Sequence, residues 1–443
     1  MGRGLKVLII GGGGREHAIS AAYERSPQVE KIIVSPGNDF IAYERGVEVV
    51  TDSGANLKKR GSILDVADKY KPDIIDVAQD DALAVGSVDL LRKEGYNVFG
   101  PTRDAARIES SKVWSREFQR RHDVPQPNWV SFNDPREARD YFERVYKEQH
   151  DLVKWVKADG LAAGKGAIRA GSLEEAHAAV DEMKKFGDAG KTFLVEDNMP
   201  GEEFSGYAIS DGKTWYMTKS AQDYKRANEK DEGLNTGGMG AISPARVTRG
   251  LESEIEREFI AKQINGMGEE GNPFQGILYI GGMKLDTGGI GLVEDNSRLG
   301  DPEAQVIIPG INTDYVDVVQ AVIMGKLAAL KIEEDNKYRV CIVGASRGYP
   351  GGYNAVKGKR IFGLEKVMKM AGISVFGCGI KVLDGKFYAE GGRLFNIVAE
   401  GENITQAREM AREAMRMVSI EGDNLHWRGD IGEKDALASL FDK

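Results

Sequence analysis

The sequence predicts a chain of mixed α/β and α+β class, with an N-terminal doubly wound parallel-sheet domain, a larger central α+β segment and a small C-terminal α+β domain. Three observations carry that prediction. Short β-branched runs alternate with amphipathic helices as far as about residue 104, the pattern of a parallel sheet covered by helices. Two strand-like runs flank Thr287-Gly288-Gly289 as a hairpin, and a strand-then-helix pattern restarts near Tyr338. The 443 residues also suit about three units of roughly 150 residues each. Boundaries are expected at 1–104, 105–335 and 336–443.

In order along the chain, Leu5 to Ile10 is a strand that runs into Gly11-Gly12-Gly13-Gly14, and Arg15 to Arg25 is a helix stopped before Pro27. Lys31 to Ser35 closes the first βαβ unit. A helix with Ile63, Leu64, Ala67 and Tyr70 on one face follows, then strands at Asp73 to Ala78 and Tyr96 to Phe99. A parallel sheet of this kind binds ligands at the carboxyl ends of its strands. Ser110 and Ser111 are N-cap candidates for a helix through His122, and Val124-Pro125-Gln126-Pro127 opens the central segment. Strands are expected there at Leu152 to Lys157, Thr192 to Glu196, Gly276 to Leu285 and Ile290 to Glu294. Lys225 to Gly240 is glycine-rich and charged without a hydrophobic period, and reads as a mobile loop rather than an element. Near the C-terminus a strand at Arg339 to Val343 and short strands near Phe387 to Val398 precede a helix from Thr405 to Val418. Its face of Ala407, Met410, Ala411, Ala414 and Val418 turns inward, with Arg408, Arg412 and Arg416 on the other side.

Composition narrows the function classes. Hydrophobic residues at 41% and charged residues at 29% are ordinary for a globular protein, and a net charge of -9 without a basic run excludes a nucleic-acid partner. Cys341 and Cys378 are too few and too far apart for a disulfide framework or a multi-cysteine metal site, so buried free thiols are expected. No apolar run approaches the ~20 residues that span a bilayer, and Met1 to Lys6 carries no targeting pattern, so no membrane partner and a cytoplasmic location are expected. The histidines, His17, His122, His150, His177 and His426, show no zinc spacing; His122 and His150 read as exposed helix-end residues, and no catalytic histidine is assigned.

Three motifs carry chemistry. Gly11 to Gly14 with Arg15, Glu16 and His17 sits between a strand and a helix N-terminus, where backbone amides and the helix dipole suit a phosphate. A dinucleotide fingerprint fits less well, because Glu16 stands at the third glycine and Ser35-Pro36-Gly37-Asn38 lacks the acidic ribose ligand. A tight turn without a ligand is the plainer alternative. The second motif, Lys157-Ala158-Asp159-Gly160-Leu161-Ala162-Ala163-Gly164-Lys165-Gly166, is one residue short of a Walker A loop and lacks its Ser or Thr; Lys157 ending a strand before a glycine loop suits a flap over nucleotide phosphates. The third runs from Glu294 to Glu303. Glu294 and Asn296 lie two apart on a strand end, hence on one face, and offer two oxygens to Mg2+, with Arg298 beside them to grip a carboxylate or phosphate. Taken alone such a run is more often a charged turn. Gln222-Asp223-Tyr224-Lys225-Arg226 and Asn235-Thr236-Gly237-Gly238-Met239-Gly240-Ala241 read either as loops that order around substrates or as solubilising loops.

Gly13 to His17, Lys157 to Gly166, Asn235 to Ala241, Arg298-Leu299-Gly300-Asp301-Pro302-Glu303, Ala389 to Arg393 and His426 to Gly432 together resemble the glycinamide ribonucleotide synthetase family, in family order across nearly the whole chain. The resemblance implies a central ATP-grasp domain, with a flexible lid subdomain at about 126–200. It implies a ligase that uses ATP and Mg2+, or Mn2+ as the alternative cation, to join glycine to 5-phosphoribosylamine in purine biosynthesis through glycyl phosphate. By similarity Lys112 and Lys157 contact ATP phosphates, with Gly160 and Gly164 in the flap; Glu196, Asn198 and Glu203 hold adenine and ribose. Glu294 and Asn296 bind the metal, and Arg298 takes the glycine carboxylate. Gly13, Gly14, Arg15 and Asn38 hold the ribose phosphate, Asn235 and Thr236 contact substrate, and Arg298, Lys157 and Asp223 are the catalytic candidates. A monomer or small homo-oligomer is expected, with no room for further pathway domains.

The chain departs from the family pattern at Ala78-Gln79-Asp80, where Gly-Pro-Glu is usual, at Tyr224 for histidine, at Leu299 for phenylalanine, at Asp295 for an apolar residue, and at Gly377-Cys378 for His-Ala. These leave the metal and ATP signatures intact and bear on the amine substrate. The rival readings are a biotin-carboxylase-like enzyme, disfavoured by the arginine-containing GDPE run, a regulatory nucleotide-binding module, and a nicotinamide oxidoreductase.

Overall fold

The computed structural model describes residues 4–43, 46–149, 152–162, 164–439 and 441. Met1, His150, Ala163 and Lys443 lie outside that set.

Alternate residues of strand Leu5–Gly11 serve two layers, which explains why the run is apolar throughout. Val7 and Ile9 pack with helices Gly14–Glu24 and Tyr315–Ile323; Leu8 and Ile10 pack with Arg60–Tyr70 and Ser87–Lys93 on the opposite face. The parallel sheet runs in the order Glu48–Thr51, Val29–Pro36, Leu5–Gly11, Ile74–Val77, Val98–Phe99. Its first strand, four residues at the edge, is too short and too exposed to stand out in the sequence. The order reverses at Leu5–Gly11, so the crevice opens where Gly11 to Gly14 faces the residues after Val77.

Ser111 caps helix Lys112–Arg121, its Oγ accepting from the Trp114 N–H; Ser110 ends the short helix Arg107–Ser110 instead. Strands Trp129–Phe132, Phe193–Asp197, Lys154–Ala158 and Ala167–Ala170 form an antiparallel sheet under helices Pro135–Glu148 and Leu173–Glu182, with Phe142, Val156, Val180 and Phe193 in an apolar cluster of their own. The main central sheet orders Trp215–Met217, Gly201–Asp211, Gln275–Leu285 and Ile290–Asn296, the last two as the expected hairpin.

Lys225 to Gly240 is not a loop without elements: Arg226–Asn228 and Glu232–Asn235 pair antiparallel. Polar docking, not an apolar face, sustains that hairpin. The buried Arg428 guanidinium donates to Arg226 O (3.0 Å) and Asp231 (2.9 Å), Lys230 N donates to Asp430 (2.8 Å), and Gly429 N donates to Glu229 (2.9 Å).

The C-terminal sheet orders Gln222–Asp223, Gly240–Ser243, Tyr338–Ser346, Arg393–Gly401 and Ile373–Gly377, so it runs across the expected boundary at 335/336. Helix Ile404–Arg416 lays Ala407, Ala411 and Ala414 against it. Arg408, expected on the outer side, is buried, because the chain end folds back over it: Nε donates to Ile431 O (3.1 Å), and Nη2 to Gly429 O (3.0 Å) and Glu433 (3.1 Å). His122 is likewise half-buried rather than exposed; its ring lies 4.7 Å from that of Phe118 one turn earlier and contacts Glu270 at 2.9 Å. Both cysteines are free, Cys341 buried and Cys378 half-buried with the Asn396 amide on its Sγ at 3.0 Å.

Candidate active site

The hairpin register slips between Gly281, opposite Glu294, and Gly282, opposite Leu292, leaving Val293 as the extra residue of a β-bulge. Its carbonyl points out of the ladder and accepts from Arg116 Nη2 (2.7 Å) and Lys157 Nζ (3.3 Å). Past the bulge Glu294 and Asn296 share one face and Asp295 the other. Asp295, the departure from the family pattern, is buried between the side-chain amides of Gln119 (2.7 Å) and Gln263 (3.1 Å). Burial pushes its carboxyl up to about 7 while those donors oppose the shift.

Lys112, Lys157, Glu196 and Glu294 line a single cavity with Glu109, Arg116 and Gln119. Glu196, only 2% exposed, lies 2.7 Å and 3.0 Å from two nitrogens of Arg116 and 2.6 Å from Lys157. Burial alone would raise its carboxyl; the two cations outweigh burial and hold it at about 2. The flap is tied to this site at its base. Asp159 accepts from Ser111 Oγ (3.0 Å) and Val113 N (2.8 Å), and its carbonyl accepts from Lys112 N (3.0 Å). Gly160 packs so closely on Ala189 that a Cβ would come within 2.9 Å, whereas Gly164 sits at φ +72° in open space. Asn198 is spent on Trp155 Nε1 (2.9 Å) and does not line the cavity.

Beside it, Lys225 pairs with Glu203 and with Asp223 (3.3 Å). Burial raises the Asp223 carboxyl against the opposing charge of Lys225, while Lys225 lowers that of Glu203. Thr236 shapes the neighbouring turn, its Oγ1 donating to Lys225 O (2.9 Å) and accepting from Gly238 N (2.9 Å); Asn235 pairs with Arg226.

Arg298 closes the third side. Nη2 lies 2.6 Å from Glu109 and 3.9 Å from Asp80, Nη1 donates to Leu299 O (3.0 Å), and Nε is buried without a partner among the described residues. The departure at Asp80 thus falls against this arginine, and Leu299 is buried in the core where a larger ring is usual. Arg15 is buried and internally engaged, Nε on Glu16 (2.6 Å) and Nη1 on Leu299 O (3.0 Å). Glu16 in turn accepts from Gly13 N (2.6 Å), and Asn38 donates to Gly12 O (2.8 Å) and Gly377 O (3.2 Å). A Cβ on Gly14 would come 2.3 Å from Asn396 Nδ2. Arg393 joins two of the other motifs, donating to Gly237 O (2.5 Å) and to Asp301 O (2.7 Å) and Oδ2 (3.0 Å).

The predicted residues therefore form three adjoining groups. Glu109, Arg116 and Gln119 complete them and were not singled out from the sequence, whereas Arg393 stood in the motif Ala389 to Arg393 without an assigned role; Glu109 lies three residues before Lys112, and that spacing was the one local signal available. The donor set fits Mg2+. Glu294 offers a carboxylate, and Asn296 donates its Nδ2 to Glu109 (3.0 Å), leaving Oδ1 as a ligand. Among the described residues no three His, Cys, Asp or Glu side chains form a metal-holding group. Among the described residues no helix is long and apolar enough to cross a membrane.

Residues 5–109, 110–304 and 339–434 match, in turn, the N domain, the ATP-grasp (A) domain and the C domain of phosphoribosylglycinamide synthetase. The chain is 37% identical to a phosphoribosylamine--glycine ligase of Caldanaerobacter subterraneus, across 96% of this chain and 99% of that protein, and 38% identical to one of Brucella melitensis across 97% of each. It is 39% identical to the trifunctional purine biosynthetic protein adenosine-3 of Bos taurus, of which it spans 42%. The crystal structure of phosphoribosylamine--glycine ligase from Thermotoga maritima superposes with a TM-score of 0.79 at 29% identity, covering 96% of this chain and 100% of that one. A biotin carboxylase domain from Hydrogenobacter thermophilus shares the fold at 16% identity and a TM-score of 0.72 over 96% of this chain and 92% of that one. With all three domains matched in order, the chain belongs to the phosphoribosylglycinamide synthetase family of ATP-grasp ligases.

Proposed function

We propose that this ligase joins glycine to 5-phosphoribosylamine at the expense of ATP, in purine biosynthesis, through glycyl phosphate. The observation that carries the reading is the convergence of Lys112, Lys157, Glu196 and Glu294 on one cavity, with Asn296 and Arg298 at its edge. A glycine carboxylate oxygen attacks the γ-phosphorus and ADP leaves with the bridging oxygen; the amine nitrogen then attacks the acyl carbon, phosphate departs and the amine loses a proton. Lys112 and Lys157 hold the ATP phosphates, Gly160 and Gly164 let the flap follow them, and Glu196 and Glu203 define the nucleoside side, with Asn198 bracing Trp155 outside the cavity. Glu294 and the Oδ1 of Asn296 would hold Mg2+ or Mn2+, which supplies charge neutralisation during phosphoryl transfer. Arg298 presents its unpartnered Nε to the glycine carboxylate. Asp223 orients Lys225 at the same edge. Gly13, Gly14 and Asn38 form the turn for the ribose phosphate, with Arg15 bracing Glu16 beneath it, and Asn235 and Thr236 close over the substrates.

The cavity holds about 20 Å³, room for about one water molecule. A nucleotide therefore enters only when the sheet bearing Lys157 lifts from Ile290–Asn296, so residues 126–200 act as a lid between a 1–104 domain and the rest of 105–335, with 336–443 beyond. A cytoplasmic enzyme, monomeric or a small homo-oligomer, suits this chemistry. ADP release from ATP, Mg2+ and glycine, with and without freshly generated 5-phosphoribosylamine, tests it: release that needs both substrates and yields glycinamide ribonucleotide is expected, and release indifferent to the amine overturns it.

A further inference from the structure

Glu109 stands outside every motif and is 4% exposed in the middle of the site. Its carboxylate grips three consecutive residues. Oε1 accepts from Asn296 Nδ2 (3.0 Å) and from Arg298 Nη2 (2.6 Å); Oε2 accepts from Ser297 N (2.9 Å) and Ser297 Oγ (2.8 Å). A carboxylate offers about four lone-pair positions, so all are taken and Glu109 has none left for a substrate or a cation. What it does is hold others.

We infer that Glu109 is a positioning residue that fixes the Asn296 amide with Oδ1 toward the cation and sets the angle of Arg298 toward the glycine carboxylate. The inference rests on the metal reading of Glu294 and Asn296 given above. An ionised carboxylate cannot donate, so an Asn296 amide turned the other way would place its oxygen against Oε1 of Glu109, and only one orientation survives. Arg298 is constrained in the same way, because Glu109 and Leu299 O take one Nη each and leave Nε over. Glu109 also sits on the short helix Arg107–Ser110, immediately ahead of the helix that begins at Lys112, and both residues line the same cavity. It thereby ties the strand end at 296–298 to the helix that presents Lys112.

The isosteric change Glu109→Gln tests this. Gln must turn its NH2 either toward Ser297 N–H, a backbone donor that cannot turn away, or toward Asn296 and Arg298, where rotation of the Asn296 amide relieves its donor-to-donor contact at the expense of the metal ligand. Mn2+ binding is titrated by electron paramagnetic resonance on protein saturated with ADP, for the wild type and for Glu109→Gln, Glu109→Asp and Glu294→Ala, with folding checked by circular dichroism. Glu109→Gln is expected to weaken Mn2+ binding by about 10- to 100-fold, with a raised glycine KM and unchanged metal-free ADP affinity. Glu109→Asp, which keeps the charge, is expected to recover part of the loss, and if Glu109→Gln fails to fold, weakened Mn2+ binding in folded Glu109→Asp carries the inference. Unchanged Mn2+ affinity in a folded Glu109 variant, beside a loss in Glu294→Ala, overturns the role of Glu109 alone. Unchanged affinity in Glu294→Ala as well overturns the metal reading beneath it.

Discussion

Arg15 and Arg298 donate to the same oxygen, the carbonyl of Leu299, each at 3.0 Å. One lies at the start of the first helix and the other just past strand Ile290–Asn296, so a single peptide group locks the glycine turn of the N-terminal sheet to the arginine proposed to take the glycine carboxylate. Both guanidiniums are further held by carboxylates, Glu16 for Arg15 and Glu109 for Arg298, which leaves little freedom at the junction.

Lys157 and Arg116 share Glu196 but differ in what they leave behind. Lys157→Met keeps the Arg116 pair on Glu196, so the fold is expected to persist while turnover falls by about two orders of magnitude or more. Arg116→Met strips Glu196 of two bonds and takes the guanidinium from the Leu292 and Val293 carbonyls, the second keeping only Lys157, at about 3–5 kcal/mol. Urea unfolding and ADP release, run on both, separate the two effects. The pair also sets an acid limit: with the Glu196 carboxyl lowered from 4.5 to about 2, its stabilisation of about 3 kcal/mol is full above pH 4.5 and is lost as the pH falls toward 2.

Glu294→Ala is expected to abolish ADP release at saturating Mg2+ with an unchanged circular dichroism spectrum, because the remaining donor, Asn296 Oδ1, is neutral. Near-normal rates would sink the metal assignment.

Asp76 is buried beneath the glycine turn, with the Tyr23 hydroxyl on Oδ2 at 3.0 Å. Burial, with Glu16 adding to it, raises its carboxyl to about 7 although the Tyr23 bond opposes. The fold thus takes up a proton on Asp76, so ionisation above pH 7 destabilises it and the penalty fades as the pH falls from 7 toward 4. Asp76→Asn keeps an acceptor for Tyr23 and is expected to raise Tm at pH 8, by the equivalent of about 1–3 kcal/mol, and to change it little at pH 5. An equal shift at both pH values would contradict this.

Arg428→Met removes the guanidinium that holds the 226–235 hairpin and stacks 5.2 Å from the Tyr224 ring. Trypsin is expected to cut after Arg226 or Lys230 at least about tenfold faster than in the wild type, with lower turnover, because Asn235 and Thr236 lose their support. Unchanged cleavage would show that the backbone pairing stands without it.

Much of this was legible in one dimension. The strand before Gly11, the cap at Ser111, the hairpin around Gly288 and the pairing of Glu294 with Asn296 on one face all follow from periods of two and 3.6 and from local turn chemistry, and the family resemblance stood on motifs quoted residue by residue. Local periodicity could not show the hairpin at 226–235, because its support comes from Arg428 some two hundred residues away, nor the burial of Arg408, which the returning chain end covers. Glu109 and Arg116, and the role though not the motif of Arg393, were hidden for the same reason. A charged residue's role is set by the charge it meets, and here the partners are Asn296 and Arg298, Glu196, and Asp301, each at least 80 positions distant. The sequence by itself determined the elements whose period or turn chemistry is local and offered the oxygens and cations that the proposed chemistry would use. Only the tertiary structure decided how those charges are held, since burying a charge demands a partner and folding alone brings the partners together.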